Sequence, residues 1–200
     1  MSVPVIMTDA DWSGGHYEIY IELGDTDDGR LQRLLTSVWR AAAVDGCYGA
    51  TYDGPGELQE MPCTVASLRD AGKLKGVVRH PSGQRIVCGC FVIHDDDVPE
   101  LLSFFIPMGA LTAVDPRIGA FPFGPDGGLK SLVWRHPLDE WLADIARAVF
   151  NDVGFRLSTI GFELLEAPHE ALHGGVPPEE RWNAFLISDG GELQYFPANR

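Results

Sequence analysis

Apolar and polar residues alternate from residue 17 to 23. Tyr17, Ile19, Ile21 and Leu23 stand on one parity, and Glu18, Tyr20 and Glu22 on the other. A period of two is the mark of a strand, and this assortment predicts one face in the core and one in water. A turn over residues 24–28 follows, with Asp27 and Asp28 where the positive end of a helix dipole favours acids. The period then lengthens: Leu31, Leu34, Leu35, Val38, Trp39 and Ala42 make a helical stripe, and Gly46 supplies a stop. The chain opens as a β–α unit.

Residues 47–72 show no clear period. Gly49, Gly54, Pro55 and Gly56 indicate a loop, with one short strand between Glu57 and Leu68. Leu74–Arg79 and residues 85–93 read as the arms of a hairpin. Their connection, His80-Pro81-Ser82-Gly83, puts Pro and Gly where a type I turn accepts them. The second arm is apolar on both parities, with Ile86, Cys88, Cys90 and Val92 on one and Val87, Phe91 and Ile93 on the other. A strand covered on both faces belongs inside a sheet. Residues 101–106 form a similar run, ended by Pro107.

From 107 to 136 no period is sustained, and four prolines and five glycines fall in the stretch. It is expected as a long Pro/Gly-rich loop, of the kind that is usually functional when a compact domain keeps one. Pro137 then suits a first helical position, with Asp139 and Glu140 in the first turn. Leu138, Trp141, Leu142, Ile145 and Val149 form the stripe, and Gly154 the end. Residues 155–165 read as a strand whose inward parity shifts between Leu157 and Ile160, which suggests a bulge. The chain closes as a hairpin, with arms at 182–188 and Glu192–Phe196 joined by Asp189-Gly190-Gly191. So many hairpins exclude a parallel doubly wound sheet. The expected fold is one α+β domain over residues 1–200: a mostly antiparallel sheet with two principal helices packed on one face.

Charge adds what the periodicity does not show. The 200 residues carry 29 Asp and Glu against 15 Lys and Arg, a net charge of −14, and the surplus lies in both halves of the chain. Such a surface repels phosphate backbones and anionic membranes and attracts cationic partners, so neither nucleic acid nor membrane is expected as a ligand. No apolar run approaches the roughly 18 residues of a membrane helix. The first residues also lack the basic and apolar regions of a signal peptide. A cytoplasmic location is expected, with the four cysteines reduced.

The candidate chemistry is thin. Cys47, Cys63, Cys88 and Cys90 lack the paired spacing of a zinc site, since Cys88 and Cys90 lie on one face of a strand that reads as buried. They are expected in the core. His94, Asp95, Asp96 and Asp97 form the densest run of potential ligands, yet no second set at diagnostic spacing accompanies them, and a solvated acidic turn is expected. Residues 124–131 approach a phosphate-binding loop. Leu129 replaces the glycine before Lys130, Asp126 opposes phosphate, and no helix begins at once. None of the six histidines has the His-Glu-x-x-His spacing, and no Gly-x-Ser-x-Gly elbow occurs. No catalytic residue, metal or cofactor is expected.

The remaining candidates are aromatic. Phe121, Phe123 and Trp134 stand among Pro and Gly, either as interface anchors or as lids folded back on the sheet edge. With Asp95, Asp96 and Asp97 they make the expected binding set. The expectation is an acidic domain that neutralises a basic protein partner, in the physical manner of an immunity protein against a cationic toxin. Two other readings compete: a small enzyme using His94 or His136 with carboxylates beside the 107–136 loop, and a ligand-sensing or oligomeric accessory domain.

Overall fold

The computed structural model describes residues 8–24, 27–50, 58–95, 98–119, 121–122, 127–164, 169–172 and 175–200. The opening unit is β1 (His16–Glu22) followed by α1 (Asp28–Ala41), capped by the Asp27 side chain, which accepts from Arg30 N. Then come β2 (Asp45–Gly49), β3 (Gln59–Glu60) and α2 (Val65–Ala71). Three longer strands follow, β4 (Leu74–Arg79), β5 (Arg85–Asp95) and β6 (Val98–Pro107). After them stand α3 (Met108–Val114) and the long α4 (Leu132–Val153). β7 (Leu157–Phe162), β8 (Ala184–Asp189) and β9 (Glu192–Phe196) complete the sheet.

The nine strands of the described residues join one sheet, in the order β3-β2-β4-β5-β6-β1-β7-β8-β9. Every pairing is antiparallel, so the expected α+β architecture is the one observed. The two predicted hairpins are present. At the last one, Gly190 and Gly191 both take positive φ (57° and 89°), the pair of left-handed positions that a two-residue turn requires. No helix among the described residues is long and apolar enough to cross a membrane.

The first β-strand lies in the middle of the sheet, bonded to β6 on one side and β7 on the other. On one face Tyr17, Ile19 and Ile21 join Cys88, Cys90, Phe104, Ile106, Ile160 and Leu186. Leu31, Leu34, Leu35 and Val38 of α1 and Leu138, Leu142, Ile145 and Val149 of α4 pack onto them in a single cluster. Each large side chain sealed there contributes about 1.5–3 kcal/mol of apolar transfer.

The other face corrects the sequence expectation. Glu18, Tyr20 and Glu22 were expected in water, yet they are 3%, 9% and 1% exposed. A roof of loop covers them. Leu164 and Leu172 pack into two small apolar clusters on this face, the first with Tyr20 and Leu101, the second with Leu157, Phe185 and Ile187. The carboxylates hold the roof down. Glu18 accepts from Ser103 Oγ (2.7 Å) and Leu164 N (3.0 Å), and Glu22 accepts from His169 N (2.9 Å). Glu163 accepts from His16 N at 2.8 Å at the edge of the same face.

Two burying faces also explain β7. Its register against β1 runs without interruption from Tyr17↔Phe162 to Glu22↔Leu157, so no bulge occurs. Leu157 faces the roof and Ile160 the helices, which mimics a parity shift.

The expected 107–136 loop is corrected as well. α3 occupies its start, and short 3-10 turns stand at Pro116–Ile118 and Gly128–Ser131. α4 begins at Leu132, so Pro137 lies inside it. The bond that Pro137 cannot donate would end on the carbonyl of Val133, in the exposed first turn, so the loss there is small. In the 47–72 stretch, α2 had no legible stripe because it buries only Val65, Ser67 and Leu68. Its start is fixed locally, by Thr64 Oγ1 accepting from Ser67 N at 3.1 Å.

Candidate partner-binding groove

α4 delivers two charged side chains inward, one turn apart. Arg135 is 2% exposed and Asp139 0%. The Tyr17 hydroxyl donates to Asp139 Oδ1 at 2.5 Å, across the helical face of β1. Burial pushes the Asp139 carboxyl up to about 7, against the pull of the Tyr17 hydrogen bond and of the Arg135 charge. The same burial, with Asp139 beside it, drives the Tyr17 hydroxyl well above its ordinary range.

Arg135 does a different job with its outer nitrogens. It donates to the carbonyl of Trp182, to the carbonyl of Arg200 at 2.8 Å and to Ser131 Oγ at 3.2 Å. One buried guanidinium thereby straps together the turn before α4, the approach to β8 and the segment after β9. Backbone bonds complete the strap, with Asn199 N and Arg200 N donating to Arg181 O at 2.9 and 3.0 Å. Trp182 lies near two guanidiniums, with Arg200 and Arg135 at 5.7 and 5.9 Å from its ring centre.

These segments enclose an open groove of about 720 Å³, walled by Gly128, Leu129, Trp182 and Arg200 and rimmed by Glu179 and Glu180. Glu180 pairs with Arg200. Of its lining, Leu129 and Trp182 display apolar side chains, as does Val133 four residues beyond Leu129. Leu129 is 68% exposed, Val133 67% and Trp182 47%. Val133 borders a smaller cleft of about 130 Å³ that reaches His80 and Ile118. Large apolar groups kept this exposed on strapped backbone are what a partner surface presents.

The residues expected from sequence are placed differently. Trp134 lies in α4 and is 7% exposed, edge-on to Tyr17 at 6.1 Å, so it belongs to the core and not to a displayed loop. Phe121 is half-buried and packs edge-on against Trp134 (5.0 Å) and Phe162 (5.6 Å), as the folded-back alternative expects. The structure thus brings Phe121 and Trp134 together, under the start of α4. Phe123, Asp96 and Asp97 lie outside the described residues, as does the side chain of Asp95, whose backbone ends β5. His136 is exposed, and its Nε2 lies 2.9 Å from the carbonyl of Ala198, which a ring N–H there satisfies. The side chain of His94 lies outside the described residues.

Sequence reading missed Leu129, Val133, Arg135 and Trp182. Leu129 and Val133 stand four apart, a helical spacing hidden by the surrounding Pro and Gly. The pattern places Trp182 in the closing strand, which begins two residues later. Comparison of the chain with protein-family models, with curated proteins and with solved structures finds no match.

Proposed function

We propose that this chain is a protein-binding domain whose groove beside Trp182 receives a basic protein partner. The observation that carries the reading is the display of Leu129 and Trp182 on backbone strapped by the buried Arg135, next to the carboxylates of Glu179 and Glu180, with Val133 exposed four residues beyond Leu129. Net charge −14 supplies the long-range attraction for a cationic partner, and the apolar side chains supply short-range contact. The acidic run Asp95, Asp96 and Asp97 contributes to that attraction. This is the physical manner of an immunity-type or accessory protein acting in the cytoplasm, where free thiols are the resting state.

Affinity capture from native host lysate tests it, comparing the wild-type chain with Leu129→Ser and Trp182→Ala. The wild type should retain a protein of high isoelectric point at low salt. Each variant should lose about tenfold or more in affinity, chiefly through faster dissociation. Raising salt from about 50 to 500 mM should slow association, because the screening length shrinks severalfold. Equal retention by both variants, or indifference to salt, would refute the groove as the binding surface.

A further inference from the structure

The fold gathers the four cysteines that the sequence scatters. Cys88 and Cys90 are fully buried on β5, and Cys47 on β2 is buried beside them. Cys63 packs against the core cluster that holds Cys47, Cys88 and Cys90, and the Cys47 and Cys63 thiols lie close enough to perturb each other. Among the described residues no group of three ligands is placed to hold a metal ion. Cys63 differs from the other three in being only partly buried, just ahead of the start of α2. Met61 N donates to Cys47 O at 2.8 Å, so the backbone of the two segments is already pinned next to the thiol contact.

We propose that Cys63 and Cys47 form a peroxide-oxidised thiol pair, with Cys63 the attacking and Cys47 the resolving residue. The Cys63 thiolate attacks a hydroperoxide: an S–O bond forms, the O–O bond breaks, and the alcohol or water leaves with a proton. Cys47 then attacks the resulting sulfenic acid. An S–S bond forms, the S–O bond breaks, and the hydroxyl leaves as water with the Cys47 proton. Two thiols are oxidised and one peroxide is reduced. The neighbouring Cys47 thiol holds the Cys63 thiol below its ordinary range, which favours the attacking thiolate, while that same contact and burial raise Cys47. Cys88 and Cys90, driven up by burial, stay inert.

Trypsin offers a direct readout, because cleavage after Arg40 and Arg69 leaves both residues in one peptide, 41–69. Reduced full-length protein is treated with hydrogen peroxide, denatured in N-ethylmaleimide and digested. The 41–69 peptide should become lighter by two hydrogens, lose both maleimide additions and regain them after dithiothreitol. Oxidation at Met61 adds oxygen and resists dithiothreitol, so the two events are distinguishable. Cys47→Ser should leave a sulfenic acid on Cys63 that dimedone captures, and Cys63→Ser should abolish the reaction. Two maleimides on 41–69 after peroxide, or loss of label at Cys88 and Cys90 instead, would overturn the proposal. The wild-type result stands whether or not either serine variant folds.

Discussion

The two faces of β1 bury comparable shares of surface by different means. Tyr17, Ile19 and Ile21 meet two long helices, whose apolar stripes seal the contact without help from polar groups along most of its length. Glu18, Tyr20 and Glu22 meet a loop, whose backbone N–H groups need acceptors that no regular ladder supplies. The strand supplies the missing acceptors: Glu18 takes Leu164 N and Glu22 takes His169 N. A helix satisfies its own backbone and needs a greasy partner, whereas a loop needs a polar one. Polar residues in a strand therefore mark water or a roof of loop, and only the fold decides which.

Each face nevertheless holds one carboxyl whose burial raises it to about 7, Asp139 on the helical side and Glu18 on the roofed side. Perturbing these sites separates the faces, and the largest effect belongs to the helical one. Arg135→Ala removes the cation near Asp139 together with the donors to Trp182 and Arg200, and should cost about 3–5 kcal/mol in urea unfolding. It should also open the groove. A loss under about 1 kcal/mol would mean that the strap is not what orders it.

Comparable in size is the response to pH. A carboxyl raised in the fold binds its proton more tightly there than in the unfolded chain. Between about pH 4 and 7 the folded state then holds more protons, and stability falls as pH rises, levelling off above that window. Each of the two groups contributes on the order of 3 kcal/mol to the fall. His16 and His80, lowered by burial, oppose it near pH 6 but are only partly buried. Tm should drop by about 10 °C between pH 5.5 and 8. Glu18→Gln should remove the roofed face's share and leave the share of Asp139. A flat profile, or one unchanged by Glu18→Gln, would break the comparison between the faces.

The smallest effect is expected where neither face is involved. Replacing both Leu129 and Val133 by Ser should change stability by no more than about 0.5 kcal/mol, because both side chains are already in water. A large loss would turn the groove's apolar residues into part of the core and remove the reason for assigning them to a partner.

Much of the helical face was legible from sequence. The stripes of α1 and α4, the β4–β5 and β8–β9 hairpins and the central place of β5 all follow from periodicity and turn residues, which are local signals. The roofed face was not. The pattern of Glu18, Tyr20 and Glu22 is identical for a solvated face and a covered one, and what covers it lies about 145 residues further along the chain. The groove was hidden for a similar reason, since Arg135, Trp182 and Arg200 have no local relation. Pro137 also disguised the true start of α4 and made Trp134 look like a loop residue. Pairs such as Leu129 and Val133 were within reach of a helical reading that tolerated the proline.

The sealing of both faces of β1 is tested most directly by carbon-13 NMR, following the side-chain carboxyls of Glu18 and Asp139 as pH is raised. Both are expected to titrate near pH 7. If Glu18 instead titrates at the ordinary glutamate value of 4.5, water reaches the second face and the roof over β1 does not exist as described.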